Sequence, residues 1–169
     1  TPTATTNVWI QAGKRMGTMG ATSSGTGVIN SGSTTVTLAA APTSNIVGLA
    51  IRNKAVSGAN FGFAQGTYVT AVNGTTVTIS QPANSSGINI ALEFYPSCKN
   101  LYVNGFMRVS AQLVAFGDVT VNSGGILTHG ADFYCANINN YGTFNGNNNY
   151  GSSAKRLYFG YNGACPRAG

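Results

Sequence analysis

Thr67-Tyr68-Val69-Thr70-Ala71-Val72-Asn73-Gly74-Thr75-Thr76-Val77-Thr78-Ile79-Ser80 is two β-branched runs joined by Asn-Gly. Runs of this kind suit a pleated, half-buried surface, and Asn-Gly suits a two-residue type I′ turn with positive φ at both positions. That turn predicts a hairpin in which Tyr68, Thr70 and Val72 face Ile79, Val77 and Thr75. Upstream, Thr34-Thr35-Val36-Thr37-Leu38 alternates, and Ile46 to Ile51 is a mostly apolar run. Downstream, Ile88-Asn89-Ile90-Ala91-Leu92-Glu93-Phe94-Tyr95 alternates again and stops at Pro96. Residues 30–97 therefore read as a small antiparallel β-barrel or sandwich.

The flanks read differently. Residues 1–29 are rich in Thr, Gly and Ser around one apolar cluster, Val8-Trp9-Ile10, and their glycines break any helical period. They are expected to form an extended N-terminal arm. In residues 98–169, Val119-Thr120-Val121-Asn122-Ser123-Gly124-Gly125-Ile126-Leu127 recurs 17 residues later as Ala136-Asn137-Ile138-Asn139-Asn140-Tyr141-Gly142-Thr143-Phe144. Val121 and Leu127 fall on Ile138 and Phe144, and Asn122 and Gly125 on Asn139 and Gly142. Eighteen residues earlier, Val103, Asn104 and Val109 take the places of Val121, Asn122 and Leu127. Short strands with Asn and Gly corners at a fixed period predict a β-solenoid-like part, with a second β-sandwich as the rival. The whole chain is expected to be all-β.

Composition narrows the function. Of 169 residues, 23 are Gly, 19 Thr, 19 Asn and 14 Ser, and only 7% are charged, against about 25% in an ordinary soluble domain. Water is held by uncharged hydrogen-bonding groups instead. No run approaches the roughly 18 apolar residues of a transmembrane helix, so no membrane partner is expected. The net charge of +6 arises from a shortage of acids. Lys14-Arg15 and Lys155-Arg156 are the only basic doublets, too sparse for a nucleic-acid surface. Cys98, Cys135 and Cys165 cannot all pair within one chain and read first as buried thiols of a protein made in a reducing cytoplasm, with a Cys135–Cys165 bridge or an intersubunit bridge as the alternative.

Catalytic groups are scarce. His129, Asp132 and Cys135 stand three apart, a spacing that strand geometry turns to opposite faces rather than onto one metal. His129 reads as a surface side chain. Glycoside cleavage would need a carboxylate pair drawn from Glu93, Asp118 and Asp132, which are all the acids there are. No phosphate-binding or dinucleotide fingerprint is present. A non-enzyme with no metal and no cofactor is expected.

Residues 55–95 resemble a β-module common in structural proteins of tailed bacteriophages. The likeness is carried by Val56-Ser57-Gly58, Gly66-Thr67, the strand to Val72, Asn73-Gly74-Thr75, Val77-Thr78-Ile79-Ser80 and the closing strand to Tyr95. Ser33-Thr34-Thr35-Val36-Thr37-Leu38 and Ile46-Val47-Gly48-Leu49 fit the usual opening of that module. Ala59-Asn60-Phe61-Gly62-Phe63-Ala64-Gln65 replaces its short turn, so no loop function carries over. The resemblance implies a virion protein, assembled in the host cytoplasm and commonly homotrimeric. The leading expectation is a capsid decoration (cement) or head-spike protein that binds the major capsid protein. Val8, Trp9 and Ile10 would be its apolar anchor, and Lys14 and Arg15 its cationic one. The alternative is a receptor-binding fibre or spike module. In it Asn139, Tyr141, Asn147, Asn148 and Tyr150 would hold a host glycan by hydrogen bonding and stacking.

Overall fold

The computed structural model describes residues 5–16, 23–54, 62–64, 66–109, 113–130, 133–146 and 157–158. Among them are strands and turns and no helix: the chain is all-β. It divides into two compact units, one built from Thr22–Tyr95 and one from Thr1–Ala21 together with Pro96–Gly169.

Two strands precede the middle unit, β1 (Val8–Ile10) and β2 (Arg15–Met16). The middle unit holds β3 (Ser23–Ile29), β4 (Thr35–Leu38), β5 (Ala50–Asn53), β6 (Val69–Asn73), β7 (Thr76–Ile79) and β8 (Gly87–Tyr95). These six form one antiparallel sheet in the order β5-β8-β3-β4-β7-β6. The sheet curls until its two edges exchange hydrogen bonds. Ile51 N–H donates to the Thr67 carbonyl at 3.2 Å, and Val69 N–H to the Leu49 carbonyl at 2.9 Å. Inside lie Ile29, Val36, Val69, Val77, Ile79, Leu92 and Phe94 from the strands, with Ile46, Leu49 and Phe63 from the connections between them.

The Asn-Gly hairpin forms in a different register from the expected one. Asn73 pairs with Thr76 and Val72 with Val77, so Gly74-Thr75 is the two-residue loop. Gly74 has φ +58 and Thr75, the second central residue, is not among the positive-φ residues, so the turn has the type II′ pattern, in which only the first central position needs positive φ. Burial explains the shift. Strict alternation would put Val69 and Val72 on opposite faces, but a bulge between Val69 and Ala71 turns both inward, opposite Ile79 and Val77.

The unit also begins before residue 30. Ser23–Ile29, expected to belong to an arm, pairs with β8 along most of its length. One of its two glycines is a steric necessity: a Cβ on Gly27 would press on the Thr37 carbonyl and on the Leu92 and Leu38 side chains, whereas one on Gly25 would meet nothing. Tertiary pairing overrides weak local propensity here.

The other unit continues with β9 (Ser97–Cys98), β10 (Leu101–Val103), β11 (Phe106–Val109), β12 (Leu113–Ala115), β13 (Val119–Val121), β14 (Ile126–His129) and β15 (Phe133–Tyr134). It ends with β16 (Ile138–Asn140), β17 (Thr143–Gly146) and β18 (Leu157–Tyr158). Three parallel four-stranded sheets result: β1-β10-β13-β16, β2-β11-β14-β17 and β9-β12-β15-β18. The chain visits them in the same cyclic order four times, so each circuit is one coil laid on the previous one. In-register parallel pairing puts inward residues on inward residues about 4.8 Å apart. The interior is a set of columns. Val8, Leu101, Val119 and Ile138 form one, Ile10, Val103 and Val121 a second, and Met16, Met107, Leu127 and Phe144 a third.

The expected arm at 1–29 is thus not an arm where it is described. Val8–Ile10 and Arg15–Met16 are the first two strands of the first coil, paired to Leu101–Val103 and Phe106–Met107. The third strand of that coil is β9, far downstream. Met16 and Ser97 are 81 positions apart, whereas their partners Met107 and Val114 are 7 apart. The excess of 74 is the length of Thr22–Tyr95. The middle unit is therefore an insertion within the first coil, and the apolar cluster at Val8-Trp9-Ile10 is explained by coil packing.

Candidate functional site

Alternation along β1 and β10 sends Val8, Ile10, Leu101 and Val103 into the coil and Trp9 and Tyr102 out of it. Because the strands are in register, the two rings stack, with centroids 4.0 Å apart and planes 12° from parallel. Thr120 and Asn139 continue the same outward row on the next two coils. Trp9 belongs to the edge strand of its sheet and remains 57% exposed.

On the adjoining sheet the outward row is Arg15, Phe106, Ile126 and Thr143, and the Arg15 guanidinium lies 5.3 Å from the Phe106 ring centroid. Lys14, at the corner between the two sheets, is exposed, as is Arg15. The ion pairs seen among the described residues both end on Glu93, which accepts from Arg52 Nη2 at 2.7 Å and lies 3.5 Å from Lys54 Nζ. Tyr95 also donates to Glu93. Burial works to raise the Glu93 carboxyl, but the Tyr95 and Arg52 hydrogen bonds and the Arg52 charge outweigh it and hold Glu93 below its ordinary value of 4.5.

Two polar ladders run along the corners. In the position just before the first strand of each coil stand Asn7, Asn100, Asp118 and Asn137. Asn100 Nδ2 donates to Asn7 Oδ1 at 3.1 Å, Asp118 N–H to Asn100 Oδ1 at 2.9 Å, and Asn137 Nδ2 to Asp118 Oδ1 at 2.8 Å. At the next corner Asn122 Nδ2 donates to Asn104 Oδ1 at 2.5 Å. Each rung satisfies corner groups that a turn would otherwise leave to solvent.

The expected docking residues separate. Ile10 is 5% exposed and Val8 packs against the core, so neither is an anchor; both are used up in holding the first coil together. Trp9, Lys14 and Arg15 face out. Of the glycan candidates, Asn139 lies in the outward row beyond Thr120, Tyr141 is 71% exposed, and Asn147, Asn148 and Tyr150 lie outside the described residues. His129, expected at the surface, is inside. It is 7% exposed, stacks on Phe144 at 5.3 Å, and its Nδ1 has no hydrogen-bond partner. Its place in β14 puts it in the same inward column as Val109. Cys98 and Cys135 are buried thiols, and burial pushes Cys98 up to about 12. Cys165 and Asp132 lie outside the described residues.

Tyr102 and Phe106 were not singled out in the sequence, yet a signal exists. Asn7-Val8-Trp9-Ile10, Asn100-Leu101-Tyr102-Val103, Asp118-Val119-Thr120-Val121 and Asn137-Ile138-Asn139-Asn140 share one amide or acid followed by alternating inward and outward residues. The first two are separated by the insertion, which hides the repeat from a search at fixed period.

No protein-family model matches the chain, and no match was found among curated proteins or solved structures.

Proposed function

We propose that the chain is a non-enzymatic structural protein of a tailed-bacteriophage particle, a decoration or head-spike protein bound to the major capsid protein. In this reading the coiled unit is a short β-solenoid and the inserted unit a closed β-barrel of the phage module type. The reading is supported by the cationic edge of the first coil: Lys14 and Arg15 are exposed at a sheet corner, and the ion pairs seen among the described residues, which join Glu93 to Arg52 and Lys54, do not engage either of them. An acidic shell surface would be attracted to that edge, and the added binding energy would stabilise the assembled shell by mass action. A homotrimer is the assembly the resemblance suggests.

Cutting away the first residues would now destroy a coil rather than remove an arm, so the test is charge reversal. The double variant Lys14→Glu, Arg15→Glu should keep the circular dichroism and melting of the parent and lose sedimentation with purified particles. Loss should be matched in the parent by raising salt, since exposed charges are screened. Unchanged co-sedimentation of the variant would overturn the docking surface. Absence of the chain from purified particles by quantitative mass spectrometry would overturn the setting as well.

A further inference from the structure

We propose that the outer ring face of Trp9 is a saccharide platform, on which one pyranose ring of a surface glycan stacks as the third member of the Trp9–Tyr102 column. The proposal does not depend on shell docking, which uses the cationic corner and the neighbouring sheet.

The geometry begins with the strand edge. β1 ends its sheet, so Trp9 has Tyr102 against one face and, among the described residues, no further strand against the other. Its exposure of 57%, with one face covered, means that the opposite face is open. The support is rigid. Val8 and Ile10, the neighbours of Trp9 in the strand, are locked in the coil interior, and Tyr102 fixes the ring plane. A ring held in its binding orientation before the ligand arrives loses little conformational freedom on binding.

What surrounds the ring selects the ligand. Thr5, Asn7 and Gln11, the flanking residues of the same coil, are all exposed and polar. Asn7 uses its carbonyl oxygen in the corner ladder, and its amide nitrogen carries two hydrogens that can be donated outward. The apolar surface on offer is a single indole face bordered by hydrogen-bonding groups. A standard protein–protein contact buries on the order of 800 Å² per partner in all, with several apolar anchors at its centre. A pyranose fits instead: its axial C–H groups make one apolar face, and its rim of hydroxyls can be met by the Asn7 and Gln11 amides. Tyr102 is then a positioning residue, and Trp9 the contact.

Trp9 is the only tryptophan of the chain, so its fluorescence reports this site alone. The full chain is titrated with hexasaccharides of glucose, N-acetylglucosamine and galacturonic acid, with emission and calorimetry as readouts. A saturable change in emission with at least one of them is expected. Tyr102→Ala should weaken that binding roughly three- to tenfold, the effect of losing one aromatic pair, while leaving the inward columns intact. Gln11→Ala should weaken it with no change in melting. Trp9→Leu, read by calorimetry, should abolish it. Binding that survives Trp9→Leu would overturn the platform, as would no saturable change with any of the three sugars up to millimolar concentration. A change in emission on adding purified particles but with no sugar would assign the face to a protein contact and overturn it too.

Discussion

Trp9 and Ile10 are neighbours in sequence and lie on opposite sides of one strand, and that alternation separates a binding candidate from a core residue. The same logic applies to charge. Glu93 sits on β8 opposite Arg52 on β5, with Tyr95 on its own face of the strand. Those partners hold its carboxyl below the ordinary value, so the folded state binds that proton less readily than the unfolded chain does. The stabilisation is fully present above the unfolded value near 4.5 and is lost as pH falls through the lower folded value. The middle unit should therefore melt at a constant temperature from neutral pH to about pH 5 and at a falling one below pH 4. Glu93→Gln should flatten that acid limb, as followed by thermal melts across pH; an unaltered limb would mean that another group carries it. The pairing partner of Glu93 was not legible in the sequence, because Arg52 is 41 residues away and only sheet order brings the two together. The burial of His129 was equally hidden. Its face is set by the strand's entry corner, and no local rule places a histidine inside.

At the scale of elements, the corners decide the register. Two residues, Asn104-Gly105, join the first and second strands of the second coil, and two, Tyr141-Gly142, do so in the fourth. The third coil uses four, Asn122-Ser123-Gly124-Gly125. The repeat offset is therefore 19 between β13 and β16 but 17 between β14 and β17. The 17-residue match predicted from sequence holds on the second sheet, where Leu127 meets Phe144, and slips by two on the first, where Val121 meets Asn140 rather than Ile138. Met107, not Val109, lies under Leu127 for the same reason. Ser123 and Gly124 are the surplus pair, both exposed, with Gly124 at φ +79. Deleting the two should leave a folded protein with little change in denaturation midpoint. Gly125 is different: a Cβ there would run into the Val103 carbonyl oxygen of the coil before. Gly125→Ala should cost about 1–3 kcal/mol, the usual range for overpacking a tight site. Urea denaturation of both variants checks the pair, and equal costs would refute the reading of the corner.

At the scale of the molecule, the insertion dominates. Removing residues 22–95 and joining 21 to 96 restores between Met16 and Ser97 the spacing of 7 found between Met107 and Val114. The shortened chain should keep a cooperative thermal transition and the Trp9 emission of the parent, because all four coils retain their strands. A chain without cooperative melting would show that the coils need the middle unit to fold. By itself the sequence determined that the chain is all-β, that two β-branched runs are joined by a tight turn at Gly74, and that Asn and Gly corners recur after residue 98. Those properties follow from local preferences and from the period-two alternation of a strand, which act within a few residues. Only the tertiary structure decided that Val8–Ile10 and Arg15–Met16 begin the coil. The contacts responsible join residues more than 80 positions apart, and the energy that selects them comes from burying whole columns of side chains rather than from any single segment.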